Sequence, residues 1–379
     1  MAARASTFRI AINGYGRIGQ CVLRALVERQ SADIQVVAIN ELSNLDTITY
    51  LTRFDTTHGR FPVQVDTHND HLVINGQAIR VLNEPDPDKL PWAALDIDLV
   101  LECSGSFKDR ITAEKHLAAG AKRLLFSQPA ENDLDATIVW GINQEVLSAD
   151  QHILSAASCT TNCLLPLLTV LDAALGVEHG VTTTVHSAMN DQPVIDAYHQ
   201  TDLRLTRSAM HSIVPVDTGL AKGISRLMPK LTGRFECLHL RVPTINVSVM
   251  DLAVTVARDT DREEVNQLLK AASQCHLQGI LGYTETPMAS VDFNHDPHSG
   301  ILDATQTRVA GTRLIKLLCW FDNEWGFANR MLDISQRLAT LTQAGYHDPT
   351  HHTINKRTPA HERTENDRPA TPGSTRPDP

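Results

Sequence analysis

The chain has no excess of positive charge, no apolar leader, no apolar run long enough to cross a bilayer and no even set of cysteines. Each lack excludes a class of protein. Across 379 residues, 34 Lys and Arg stand against 44 Asp and Glu, a formal net charge of -10. General nucleic-acid binding therefore has no electrostatic footing, although a local basic pocket for a phosphorylated small molecule stays open, because the local field governs that contact. The opening MAARASTF contains no apolar h-region, and the longest apolar stretches fall short of a membrane span. Cysteines at 21, 103, 159, 163, 237, 275 and 319 cannot all pair within one chain. Their odd count and scattered spacing favour a reducing cytoplasm. No repeat of solenoid or propeller period is present. What remains, at 42% hydrophobic residues, is ordinary globular composition with length for two domains.

Residues 9–13 read as a short buried strand, followed by a glycine-rich turn, a helical pattern through Val22, Leu23, Leu26 and Val27, and a second apolar strand at 34–39. This order opens a doubly wound parallel sheet. Further strands are expected at 97–101, 122–126 and 137–140, with a helical stretch at 113–119 and a hairpin over 61–82 turning at Asn75-Gly76. Beyond 159 the pattern becomes a helix to about Leu175, then β-rich runs at 180–186, 235–242 and 246–256, a strand at 314–321 and a helix at 325–342. These runs predict an α+β unit with a mainly antiparallel sheet. The expected division is a doubly wound domain at 1–158, completed by a C-terminal helix at 323–344, an α+β domain at 159–322, and a tail at 345–379 too poor in apolar residues to order. A long loop at 193–215 has weak periodicity, as functional loops often do.

Gly14-Tyr15-Gly16-Arg17-Ile18-Gly19 has the G-x-G-x-x-G form between predicted strand and helix. Glycines there allow the tight turn and the close approach of a pyrophosphate, which the helix N-terminus stabilises. Glu41 closes the second strand, where a carboxylate accepts hydrogen bonds from ribose hydroxyls and repels a 2′-phosphate, so NAD is expected in preference to NADP. In Ser-Ala-Ala-Ser-Cys-Thr-Thr-Asn-Cys at 155–163, Cys159 stands at a helix start among hydroxyl residues. Unpaired N–H groups and the positive dipole end favour a thiolate there. On these residues alone, the thiol reads equally as a nucleophile or as a small buried residue behind an ordinary cap.

Taken together, INGYGRIG at 12–19, SCTTNC at 158–163, TTVHSAMNDQ at 183–192, LRVPTINVS at 240–248 and WFDNEWGFANRM at 320–331 resemble the glyceraldehyde-3-phosphate dehydrogenase family, from Phe8 to about Leu341. NEL at 40–42, NDLDATIVWGIN at 132–143, AYH at 197–199 and the stretch 292–309 look like its erythrose-4-phosphate dehydrogenase branch. The resemblance implies that Cys159 attacks an aldehyde carbon with His186 as its partner, first as an imidazolium paired with the thiolate and later as a base. It implies that Ser127 and Asn323 join the glycine loop and Glu41 in holding NAD. Ser158, Thr160, Arg204, Arg207, Thr218, Gly219 and Arg241 are then the substrate contacts, with the guanidinium of Arg241 facing a phosphate. The expected activity is oxidation of erythrose 4-phosphate through a cysteine thioester that water cleaves, in pyridoxal 5′-phosphate biosynthesis. The alternatives are the phosphorylating oxidation of glyceraldehyde 3-phosphate and a non-catalytic NAD-binding scaffold. A homotetramer acting on a small phosphorylated aldose is implied, with no nucleic-acid or membrane partner.

Two residues depart from the family pattern. Met189 stands where a threonine usually contacts phosphate, and Leu205 where a second arginine usually follows Arg204. Cys163, one helical turn beyond Cys159, reads as a core residue, so no metal is expected. His295 and His298 sit in a Pro-interrupted loop, and the histidines at 347, 351, 352 and 361 read as solvated.

Overall fold

In the computed structural model, which describes residues 7–200 and 202–346, apolar side chains on both faces of Phe8–Asn13 and Ile34–Asn40 place these strands in the interior of a sheet. From one edge the nine-stranded sheet runs Ala136–Thr137, Ile153–Ser155, Leu124–Phe126, Leu99–Glu102, Phe8–Asn13, Ile34–Asn40, Gln77–Leu82, His71–Ile74 and Val65–His68. Pairing is parallel as far as Gln77–Leu82 and antiparallel beyond it. The expected hairpin at 61–82 is therefore a three-stranded meander that extends the main sheet. Its second turn, at Asn75 (φ 48°) and Gly76 (φ 81°), has the two left-handed residues that such a tight turn requires. The strand expected at 137–140 is only Ala136–Thr137; the Ile138 N–H still bonds the Ser155 carbonyl at 2.8 Å, and the chain turns from Trp140.

Helix Arg17–Arg29 packs against the closing helix Trp325–Tyr346, whose Phe327, Met331, Ile334 and Leu338 enter the core of the first sheet. Of the tail expected at 345–379, Gly345 and Tyr346 end the closing helix, and residues 347–379, with the tail's histidines, lie outside the described residues. The second sheet has eight strands. Val214–Val216, Phe235–Arg241, Val177–His186, Ser248–Val256, Leu314–Phe321, Gly300–Asp303 and Leu281–Thr284 lie in that order, with Arg308–Ala310 against Leu314–Phe321. Most pairs are antiparallel, while Val177–His186 runs parallel to Phe235–Arg241 and Leu281–Thr284 parallel to Gly300–Asp303. Every second residue of Ser248–Val256 is buried under helices Cys159–Leu175 and Arg262–Gln274. The fold is thus α/β, a doubly wound dinucleotide-binding sheet joined to an α+β unit with a mainly antiparallel sheet. No helix among the described residues is long and apolar enough to cross a membrane.

A line of four side chains ties the two sheets together. His295 Nε2 faces Glu28 Oε2 at 2.9 Å, His295 Nδ1 faces His58 Nδ1 at 3.0 Å, and His58 Nε2 faces Glu324 Oε2 at 3.4 Å. The His295 ring stacks on Trp325 with centroids 3.7 Å apart. His298, by contrast, bonds only locally to Asp296.

Candidate active site

The Cys159–Leu175 helix starts where the sequence places it, and Ser158 is its N-cap, accepting a hydrogen bond from the Thr161 N–H at 3.0 Å. Ala157 just before it has φ 59°, a left-handed backbone that costs a Cβ-bearing residue energy and turns the chain sharply into the helix. Cys159 Sγ then lies 3.8 Å from His186 Nε2. His186 ends Val177–His186, a strand paired on both sides, so the imidazole sits at the end of an interior strand. Its Nδ1 is 2.8 Å from the Ser187 carbonyl. A carbonyl only accepts, so Nδ1 carries the proton and the Nε2 lone pair faces the thiol.

Burial pushes the Cys159 thiol up to about 11, against the pull of the Thr160 N–H and the Arg241 charge. Burial also pushes His186 down to about 4, and Arg241 adds to that direction. Both directions oppose the expected thiolate–imidazolium pair in the free protein, because burial disfavours a charge on either partner, and they suit His186 to the part of a general base.

Arg241 lies on the strand beside His186, in register with it, and is buried with Nε and Nη1 unpartnered. Asn323 accepts hydrogen bonds at Oδ1 from Ser187 Oγ (3.0 Å) and Ser248 Oγ (2.9 Å), which leaves its amide N–H groups for a ligand. The Ser158 and Thr160 hydroxyls bond each other at 2.8 Å beside the thiol. Thr218 Oγ1 and Gly219 stand at the start of the short helix Leu220–Leu227. Arg204 and Arg207 are exposed, and Arg207 is paired with Asp196 at 3.0 Å, so the structure does not bring these two arginines to the cysteine–histidine pair.

At the first sheet, each loop glycine has a distinct reason. A Cβ on Gly14 (φ 88°) would lie 2.4 Å from the Ser104 backbone, one on Gly19 2.4 Å from the Gly14 carbonyl, and Gly16 faces open space. This is a cradle in which backbone can meet a pyrophosphate at the N-terminus of Arg17–Arg29. A cavity of 290 Å³ adjoins it, lined by Asn13, Gly14, Gly16, Glu41, Cys103 and Phe107. Glu41 accepts from the Tyr15 N–H at 2.8 Å, bracing the loop from the cavity wall. Ser127 follows Leu124–Phe126 and bonds the Glu102 carbonyl at 3.0 Å. The side chains of Tyr15, Arg17 and Ile18 face away from ligand duty. Tyr15 is buried against Thr52, Arg17 binds Asp55 and Glu324, and Ile18 packs on the core, so only their backbone is available at the loop. A separate cleft of 790 Å³ beside Glu131, Asn132 and Arg226 contains none of these groups.

Three features escaped the sequence reading. His239 stacks on His186, Glu102 binds Asn13 at 2.5 Å beneath the nucleotide cavity, and Glu324 holds Arg17. Strand alternation back from Arg241 would have revealed the first, whereas the other two depend on contacts between distant segments. Cys21, His58 and Glu324 bring three ligand-type atoms within 4.8 Å of one another, but Arg17 occupies both Glu324 oxygens and opposes a cation there.

Residues 8–110 match the model of the glyceraldehyde 3-phosphate dehydrogenase NAD binding domain, and residues 158–323 match that of the glyceraldehyde 3-phosphate dehydrogenase C-terminal domain. The first match makes NAD the cofactor, and the glycine cradle fits it. The chain belongs to the glyceraldehyde 3-phosphate dehydrogenase family and is an NAD-dependent oxidoreductase acting on an aldehyde group.

Proposed function

We propose that the substrate is D-erythrose 4-phosphate, oxidised to 4-phospho-D-erythronate without uptake of phosphate, in the cytoplasm and on the route to pyridoxal 5′-phosphate. The observation that carries the hydrolytic reading is the loss of anion donors from the family's pattern: Met189 offers a thioether and Leu205 an apolar side chain, while Arg207 is engaged by Asp196. A phosphorylating enzyme must hold a second phosphate beside the substrate's own, and water needs no such site.

The chain's own groups perform the remaining chemistry. Cys159 Sγ adds to the aldehyde carbon as its proton passes through His186 Nε2 to the carbonyl oxygen, giving a hemithioacetal. N–H groups at the start of Cys159–Leu175 face the oxygen as charge develops on it. Bound NAD supplies the hydride acceptor, held by the glycine cradle, Glu41, Ser127 and Asn323. His186 takes the hydroxyl proton as the thioester forms. That proton leaves to solvent, and the neutral ring then takes a proton from the attacking water and returns it to Cys159 as the C–S bond breaks. Arg241, Thr218, Gly219, Ser158 and Thr160 hold the phosphorylated aldose in this reading.

The test is NADH formation from erythrose 4-phosphate and from glyceraldehyde 3-phosphate, each with and without inorganic phosphate. Turnover of the four-carbon substrate without phosphate supports the proposal. Strict phosphate dependence with preference for the three-carbon substrate overturns it in favour of the glycolytic reaction. We also propose a homotetramer, supported by the apolar residues Val194, Ile195, Tyr198, Leu203 and Ile213 that the long loop leaves exposed. Light scattering that returns the monomer mass would refute that assembly.

A further inference from the structure

His239 has no task in the reaction described above, yet it lies against the catalytic base. Strands Val177–His186 and Phe235–Arg241 run parallel, with Thr184 opposite His239 and His186 opposite Arg241. Alternation places these four side chains on one face of the sheet, where all are buried. The His239 and His186 rings stack with centroids 4.9 Å apart and planes at 29°. Thr184 spends its hydroxyl on Met250 Sδ. His239 Nε2, however, is buried without a partner, as are Arg241 Nε and Nη1.

An unpaired buried polar atom keeps the full cost of having been taken out of water. Three such atoms on neighbouring residues point to a ligand that pairs them. On its other side, His239 is in register with Val216 of Val214–Val216, and the chain continues from there to Thr218 and Gly219. His239 thus stands between Arg241 and the start of the next helix. Burial pushes its imidazole down to about 3, so it offers a hydrogen bond without a charge.

We propose that His239 is a specificity-determining residue that, with Arg241, holds a phosphoryl oxygen and supplies a polar contact that Met189 and Leu205 cannot. This rests on the reading that the substrate is a phosphorylated aldose. The ligand chemistry is a phosphoryl oxygen, whether it belongs to the substrate or to inorganic phosphate.

Two variants separate binding from packing. His239→Gln keeps a donor and loses the stack, whereas His239→Phe keeps the stack and loses both nitrogens. In His239→Phe, KM for erythrose 4-phosphate should rise about tenfold or more, while His239→Gln should stay within about threefold of the parent. KM for unphosphorylated erythrose should not change in either. A second arm uses inorganic phosphate alone to slow iodoacetamide labelling of Cys159, and this protection should weaken in His239→Phe. A KM effect without loss of protection assigns the contact to the substrate's phosphate, and loss of protection extends it to the free anion. If the parent protein oxidises no phosphorylated aldose, the proposed function fails and the protection arm still decides the role of His239. The inference is overturned if the Phe variant behaves as the parent in both arms, or if the phosphorylated and unphosphorylated substrates suffer alike.

Discussion

At the scale of single residues, the site is governed by the cost of charge in a closed space. Burial pushes Cys159 up to about 11 and His186 down to about 4, directions that favour a thiol and a neutral base in the free protein. Alkylation of Cys159 by iodoacetamide in the absence of NAD should therefore rise about tenfold per pH unit between about pH 7 and 9, tracking the thiolate fraction. A rate that is flat over that interval would establish a preformed ion pair. His186→Asn should lower kcat by about 10²–10⁴ while leaving NAD binding intact, because the ring acts on the thiol, hydroxyl and water protons and not on the cofactor. Equilibrium binding of NAD, measured beside turnover, separates the two effects.

At the scale of elements, the position of the proposed nucleophile, Cys159, depends on how one helix begins. Ala157 has φ 59°, so Ala157→Gly should leave stability unchanged or raise it by about 1 kcal/mol while loosening the entry to the helix and lowering kcat. A thermal melt and a rate measurement on the same sample test this, and a variant both less stable and fully active contradicts it. The Gly14→Ala variant should lose NAD binding and stability together, since its Cβ would meet the Ser104 backbone at 2.4 Å. Elements of this kind were largely legible in the sequence. The glycine loop has local steric causes, and the helix at Cys159 has a local cap in Ser158. The meander at Val65–Leu82 and the truncated strand at Ala136–Thr137 were not, because which strand pairs with which depends on neighbours remote in sequence. The same limit hid His239, whose importance lies in a register with Thr184, and the expected roles of Arg204 and Arg207 drew on pattern alone.

At the scale of the whole molecule, buried histidines set the acid limit of stability. His116 and His186 are held down to about 4 and His239 to about 3 in the fold, against 6.5 for an exposed imidazole, chiefly by burial. The unfolded chain therefore binds more protons below about 6.5, so stability is full above that value and drains as pH falls toward about 4. Urea midpoints across this range should decline in the parent and decline less steeply in His239→Phe, and equal slopes would contradict the assignment. The line Glu28–His295–His58–Glu324 fastens the two sheets at another point. His295 stands at φ 67°, so His295→Asn suits the backbone while removing the stack on Trp325, and it should lower the melting temperature without abolishing NAD binding. Both sheets meet at Cys159, and in the proposed reaction water removes the acyl group from it. The most direct test is ³¹P NMR of the products formed from erythrose 4-phosphate and NAD with inorganic phosphate present in excess. The account predicts 4-phosphoerythronate as the sole phosphorylated product, with the inorganic phosphate signal undiminished. An acyl phosphate resonance growing in step with NADH would contradict it.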